Sequence, residues 1–355
     1  MPAMSRLDSK VIAQREPPKS LVEAGRLRFG SYSGPIADTN MIDAQPWALP
    51  MPRPIRAFRL KEWQAFQFGN DRYFVIVALF NAKVLALAQV KVYDRERKIK
   101  HLFEQKLPGW ALTAPRNLLD SQMQWQHGDA LIRFANQLAD NRITIDLNIP
   151  ASPGMPALSG TVTADAEGCE PEVVCIPFAS NRGMYSHKGC LALSGELRLG
   201  DQRVQFARAD SFLLMDDHKG YYAHVMRWDW VTGGGFDAAG RRIGFNLTRN
   251  ASIDPVHYNE NCLWIDGRVH LLGPVSFARL PARTPEVWEI RDQAGEVEVD
   301  FVIEVDGRVK INALVVESRY RGPFGQVRGH IRGPGGERVE LDGLFGMGEE
   351  FYLRC

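Results

Sequence analysis

Cysteine is scarce: Cys169, Cys175, Cys190, Cys262 and Cys355 are the five in a chain of 355 residues. The count is odd and no pair has C-x-x-C spacing, which argues against a disulfide framework and a zinc site; reduced, mostly buried thiols are expected. An excess of one charge is lacking as well. Lys and Arg number 43 against 42 Asp and Glu, so a net charge of +1 leaves no basic footprint for nucleic acid. The longest apolar run, YFVIVALFNAKVLALAQV from Tyr73, is broken by Asn81 and Lys83. It falls short of the roughly 20 apolar residues that a membrane-spanning helix needs. The opening MPAMSRLDSKVIAQREPPKS has neither the apolar block nor the cleavage site of a secretory signal. Residues 1–19 are therefore expected to form a polar tail, with a cytoplasmic location by default.

Signature motifs are also missing. There is no G-x-S-x-G elbow, and Gly233-Gly234-Gly235 lacks the Lys-Ser/Thr of a phosphate loop and the strand-to-helix setting of a dinucleotide site. A β-bulge or close backbone packing is the expectation there, and no cofactor is implied. His218, His224 and His257 fall into no carboxylate–histidine pattern of known metal geometry, so no metal site is expected.

What is present is period-2 alternation. In EVEVDFVIEV the residues Val297, Val299, Phe301, Ile303 and Val305 share one face, and Asp-Gly follows at 306–307. Asp-Gly recurs at 266–267 and 342–343, and the pair suits tight type I′ hairpin turns. Strand-like runs cover 57–68, 72–80, 84–93, 130–135 and 143–149. Helical period is weak, with 117–126 the best short candidate, readable equally as a loop. The Pro-, Gly- and Ala-rich stretch 150–172 reads as a long loop, and Gly200-Asp201 as a second boundary candidate. The expected fold is all-β: two antiparallel β-barrels or curled sheets with few short helices, spanning 20–195 and 196–355.

The densest chemistry lies in LLMDDHKGYYAHVMRWDW, residues 213–230. As a strand it places Phe212, Leu214, Asp216 and His218 on one face and Leu213, Met215, Asp217 and Lys219 on the other. Asp216 and His218 would then sit about 7 Å apart, too far for a direct hydrogen bond without a bulge. After Gly220, Tyr222, His224, Met226, Trp228 and Trp230 share a face, and Tyr221, Ala223, Val225, Arg227 and Asp229 the other. The plain reading has Arg227 and Asp229 as a surface pair worth at most about 1 kcal/mol. It has the Asp217–His218 region as a buried acid satisfied by backbone or Arg. In YNENCLW, Asn259, Glu260 and Asn261 read as turn-capping groups, or Glu260 or Asn261 lies at a barrel mouth; for Asn246 a hydrogen-bonding role stays equally open.

DDHKGYY, followed by RWDWVTGGG, DAAGRRIGFNLT and DPVHYNENCLWIDGRVHLL, resembles the signature region of the domain of unknown function 2804 family. LVEAGRLRFGSYSGPIADTN resembles that family's opening, and YRGPFGQVRGHI with LDGLFGMGEE its close. The family is distantly similar to the tocopherol cyclase and carotenoid hydratase (hydroxyneurosporene synthase) families, which implies two lipocalin-like (calycin) barrels in tandem. The function this implies is binding of an apolar small molecule, a lipid or isoprenoid. One alternative is a lipid-modifying enzyme of cyclase or hydratase type that catalyses acid-promoted addition to a carbon–carbon double bond. Asp216 or Asp217 would be its acid, His218 or Arg227 would tune that acid, and Tyr222, Trp228, Trp230 and Trp264 would form an aromatic wall. Asn246, Glu260 and Asn261 join the expected ligand contacts. A structural module without ligand is the remaining alternative. At the chain's close, Glu349-Glu350-Phe351-Tyr352 departs from the family's acidic-then-Asp/His ending, so no role is assigned to Glu349 or Glu350.

Overall fold

The structure is a computed structural model that describes residues 12–313 and 316–354. Cys355 and most of the expected tail lie outside them, but Gln14–Arg15 is already a strand, paired in parallel with Gly30–Tyr32. Among the described residues, strands form two large sheets, antiparallel apart from that one short pair, and no helix is long and apolar enough to cross a membrane. Each sheet curls around its own apolar filling.

In the first sheet the strands run, in spatial order, Ile99–Pro108, Leu85–Asp94, Tyr73–Asn81, Leu60–Gly69, Phe212–Tyr221, Arg182–Leu199, Leu158–Asp165, Arg142–Ile149, Ala130–Gln137 and Asp120–His127. Alternation turns Phe66, Phe68, Val75, Val77, Val90 and Val92 inward against Met123, Ile132, Phe134 and Ile145 from the far side of the curl. The second sheet is built round the adjacent strands Arg242–Arg249, Val225–Phe236, Phe345–Arg354, Phe324–Arg332 and Val297–Val305. It closes over Val231, Phe245, Leu247, Trp288, Phe301 and Val327. Both interiors are thus filled by side chains.

The two curled sheets pack against each other through their outer faces. Phe74, Ile76, Tyr93, Cys190, Phe212 and Leu214 of the first meet Trp230, Cys262, Trp264, Phe324, Phe345 and Met347 of the second. Glycine permits this approach: a Cβ on Gly234 would lie 2.6 Å from the Phe212 ring, and one on Gly244 2.6 Å from the Cys190 sulfur. The close backbone packing expected at the triple glycine is what Gly234 provides. The four described cysteines, Cys169, Cys175, Cys190 and Cys262, carry free thiols.

Several local expectations differ from what forms. The chain leaves the first sheet between Tyr221 and Val225, not near 195, because Phe212–Tyr221 pairs on one side with Leu60–Gly69 and on the other with Arg182–Leu199. Gly200-Asp201 is only a hairpin turn within that sheet. The stretch 150–172 is not all loop, since Leu158–Asp165 is a strand, and 117–126 yields the strand Asp120–His127 and not a helix. Of the three Asp-Gly pairs only 266–267 closes a hairpin, with both residues at positive φ. Val297–Val305 pairs instead with Phe324–Arg332, and Asp306 is tied to Arg308 and Arg321. Asp342 accepts a hydrogen bond from the Gly329 amide at the far end of the same sheet.

Candidate functional site

The face of the first sheet that does not pack into its own interior carries Trp63, Ala65, Gln67, Ile76, Ala78 and Phe80. Where the second sheet arches over these residues it leaves a cavity of about 400 Å³. Its existence has a simple cause. Ala65 and Ala78 are directly opposed across neighbouring strands, so two methyl groups stand where the flanking positions carry Trp63, Phe80, Gln67 and Ile76. The lid comes from the second sheet and the crossover into it: Tyr222, Met226, Trp228, Trp230, Met347, Glu349 and Phe351. Aromatic rings stack in sequence across this wall. Trp63 lies 4.5 Å from the His218 ring and 6.2 Å from Trp228, and Trp228 stacks at 3.9 Å on Phe351.

A buried polar cluster meets one side of the cavity. Phe212–Tyr221 presents Asp216 and His218 to it while Leu213 and Met215 enter the first barrel's core, so the period-2 division of the strand is the one that forms. The neighbouring strand contributes Ser186 and Lys188, which lie in register with His218 and Asp216. His218 Nε2 is 3.0 Å from Asp216 Oδ1, 3.0 Å from Glu260 Oε1 and 3.0 Å from Ser186 Oγ. The expected separation of Asp216 and His218 is therefore not kept. No bulge is involved, because the ladder is continuous through both residues; the two side chains lean together along the strand. Lys188 Nζ donates to Asp216 and lies 3.5 Å from Glu260, and Trp63 Nε1 donates to Asp216 Oδ2 at 3.2 Å.

The charges of this cluster follow from the contacts. Burial acts to neutralise Asp216, but Lys188 and His218 outweigh it and hold the carboxyl far below the usual range. Glu260 is likewise resisted by burial and drawn down by Lys188 and His218, to about 2. Burial would lower His218, yet Asp216 and Glu260 hold it up at about 9, so two carboxylates face an imidazolium and an ammonium. Asp216 is consequently an ionised partner and not a store of protons.

Glu349 behaves differently. Burial is the largest influence on it and raises its carboxyl above the usual range, although Trp228 Nε1 donates to one oxygen at 3.0 Å and the Tyr320 hydroxyl to the other at 2.9 Å. It lines the cavity, which the sequence reading assigned to neither Glu349 nor Glu350. Its strand neighbour Glu350 faces the other way, 3.4 Å from Arg279.

Other expected site residues separate into three groups. Tyr222, Trp228 and Trp230 line the cavity, and Arg227 reaches its rim, stacked 4.9 Å over Tyr352. Asn246 acts one layer behind, accepting from Trp230 Nε1 at 2.6 Å and donating to the Glu260 carbonyl at 2.7 Å. Asp217, Asn261 and Trp264 do not join. Asp217 points to the opposite face beside Gln64 and Lys219, and burial raises its carboxyl. Asn261 caps Thr248 N and the Gly273 carbonyl, and Trp264 packs between the sheets with its indole N–H on the Glu170 carbonyl. Arg227 and Asp229 do not pair: Asp229 is held by Arg249 and Arg279. The sequence reading passed over Trp63, Ser186 and Lys188. The polar run Ser186-His187-Lys188 between Met184-Tyr185 and Cys190-Leu191 is the signal that marks this strand.

Among the described residues no group of three or more His, Cys, Asp or Glu side chains is arranged to hold a metal ion. Lys188 stands between Asp216 and Glu260 instead.

The titrations give a signed expectation. His218, raised from 6.5 to about 9, stabilises the fold fully below pH 6.5 and loses that contribution as pH rises through 9. Buried His187 is lowered by desolvation to about 3, so it favours unfolding as pH falls below 6.5. These two histidines together favour stability near pH 6.5, and the raised carboxyls of Glu172, Asp217 and Glu349 add to the loss as pH rises. Between pH 6.5 and 8 the wild type should lose about 1–2 kcal/mol by denaturant titration, and His218→Gln should flatten that limb. An unchanged limb in His218→Gln would mean another group titrates there.

Two curled antiparallel sheets in tandem, packed through their outer faces over a cavity of about 400 Å³, define the fold class: a lipocalin-like β protein. The chain belongs to the family described as Domain of unknown function (DUF2804), whose pattern matches residues 12–354. No curated protein matches it in sequence. Among solved structures, the kievitone hydratase from Nectria haematococca is similar over 91% of this chain and 98% of its own, at 12% identity and a TM-score of 0.51. CghA in complex with Sch210972 is similar over 96% and 97%, at 11% identity and a TM-score of 0.52. These likenesses concern the fold.

Proposed function

We propose that the protein binds an apolar small molecule with a polar group, such as a lipid or isoprenoid, in the cavity between the two barrels. The observation that carries this is the cavity itself: about 400 Å³, walled by Trp63, Phe80, Leu87, Trp228 and Phe351 and met by a few convergent polar side chains. That volume and lining are those of small-molecule sites. Neither barrel interior supports the reading, since both are filled; the ligand belongs between them.

A second reading is favoured by Glu349. A carboxyl that keeps its proton further up the pH scale can pass it to an alkene carbon, leaving a carboxylate beside a carbocation faced by Trp228 and Phe351. Water then adds to the cation and returns a proton to Glu349. The hydratase among the proteins that share the fold makes water addition the form of this chemistry to test. One experiment addresses both readings: native mass spectrometry of protein purified without detergent, followed by identification of the released small molecule. A bound apolar molecule is expected in the wild type. Finding none, together with no uptake of an added apolar probe, would contradict binding. Incubation of the identified ligand should show gain of one water with wild type and none with Glu349→Gln; equal products from both would remove the catalytic reading.

A further inference from the structure

The cavity's far wall carries an excess of positive charge that the polar cluster does not use. Lys91 and Lys100 lie on neighbouring strands, displaced diagonally by two residues, and both face the cavity. Lys91 is 6% exposed, and among the described residues no carboxylate lies within ion-pair distance of either ammonium. Aromatic faces are what they touch: Lys91 Nζ sits 5.4 Å over the Tyr320 ring and Lys100 Nζ 4.3 Å over the Phe324 ring. The nearest acids are engaged elsewhere: Asp306, the acid that acts on Lys100, is held by Arg308 and Arg321. Glu104 accepts from Gln89 at 2.7 Å and lies 3.5 Å from Lys106, and Glu349 has an oxygen on each of Trp228 and Tyr320. By contrast Asp216 and Glu260 are balanced by Lys188 and His218.

From this pair we infer that the cavity selects an anionic amphiphile, its carboxylate or phosphate head seated between Lys91 and Lys100 and its apolar body lying along Ala65, Ala78 and Trp228. Burying an ammonium without a counter-ion is costly, and an oxyanion placed there supplies the missing charge and hydrogen-bond acceptors at once. The burial that leaves Lys91 short of water, with Lys100 repelling it, draws its ammonium down to about 8. Lys91 therefore gains from an anion what water gives an exposed lysine, and half-buried Lys100 adds a second positive charge beside it. Glycine leaves room for the head group: a Cβ on Gly307 would lie 2.9 Å from Lys100 Nζ.

This inference rests on the proposed binding function, and the test separates the two. Quenching of tryptophan fluorescence at pH 7 by decanoate, decyl phosphate and decanol compares heads on one chain length. At least one of the two anions should bind about tenfold more tightly than decanol, the scale of a charge-assisted hydrogen bond. In Lys91→Met and Lys100→Met that preference should shrink to within about twofold while decanol binding persists, which also shows that the variants are folded. The tighter of the two anions identifies the head group. Decanol binding as well as both anions in the wild type, or an anion preference that survives both substitutions, would overturn the inference and leave the cavity reading intact. Binding of none of the three would overturn both.

Discussion

Replacing Lys188 with methionine is expected to destabilise the protein by about 3–5 kcal/mol, the cost of leaving buried charge without its partner. The methionine side chain fills nearly the same space, so the loss is electrostatic. Asp216 and Glu260, both nearly inaccessible, would then share only His218 as counter-charge, and the one way to relieve them is to take up a proton. Two observations should follow. Chemical denaturation should show a lower midpoint with an unchanged slope, and the loss should lessen in acid. Adding Asp216→Asn and Glu260→Gln to Lys188→Met should restore most of the stability, because a neutral buried cluster carries no unpaired charge. A Lys188→Met protein as stable as wild type would mean that the cluster is hydrated and not the dry network described above.

The second large effect concerns the cavity floor. Ala78→Phe places a ring in the space that the opposed Ala65 and Ala78 methyl groups leave free. A phenyl group there displaces three or four methylenes of any bound chain, at about 0.8 kcal/mol each. Affinity for an apolar ligand should fall roughly 100-fold. Stability should change little, since the ring enters an existing void and not a packed core. The measurement is ligand affinity beside melting temperature. Weak binding with a preserved melting temperature is the expected combination; lost stability with retained binding would place the ligand elsewhere.

Much of this was legible in the sequence because β-strands write their two faces on alternate residues. Leu213 and Met215 against Leu214 and Asp216 could be divided with no structure, and the division is the one that forms. The wide family motif, together with the scarcity of helical period, led to the two curled sheets. What stayed hidden depends on pairings between distant segments. Asp216 meets Lys188 from 28 residues away and Trp63 from 153, and no local pattern couples these positions. The choice between acids was equally non-local: Asp216 is ionised because Lys188 and His218 face it, whereas burial raises the Glu349 carboxyl more than Trp228, Tyr320 and Lys91 lower it. The position of the cavity could not be read either. A barrel-forming sequence invites a ligand into the barrel, yet inward-facing Phe66, Phe134, Phe245 and Phe301 fill both interiors and leave the space between them.

The most direct test of this arrangement uses the tryptophans that line the cavity. Trp63, Trp228 and Trp230 face it, whereas Trp125 lies in the first barrel's interior and Trp288 in the second's. Titration with a decyl chain brominated near its end should quench wild-type fluorescence to saturation. Trp228→Phe should lose a large part of the quenched signal, Trp125→Phe and Trp288→Phe almost none, and Ala78→Phe should require roughly 100-fold more ligand. Quenching that vanishes with Trp125 or Trp288 and persists without Trp228 would put the ligand inside a barrel and contradict the account.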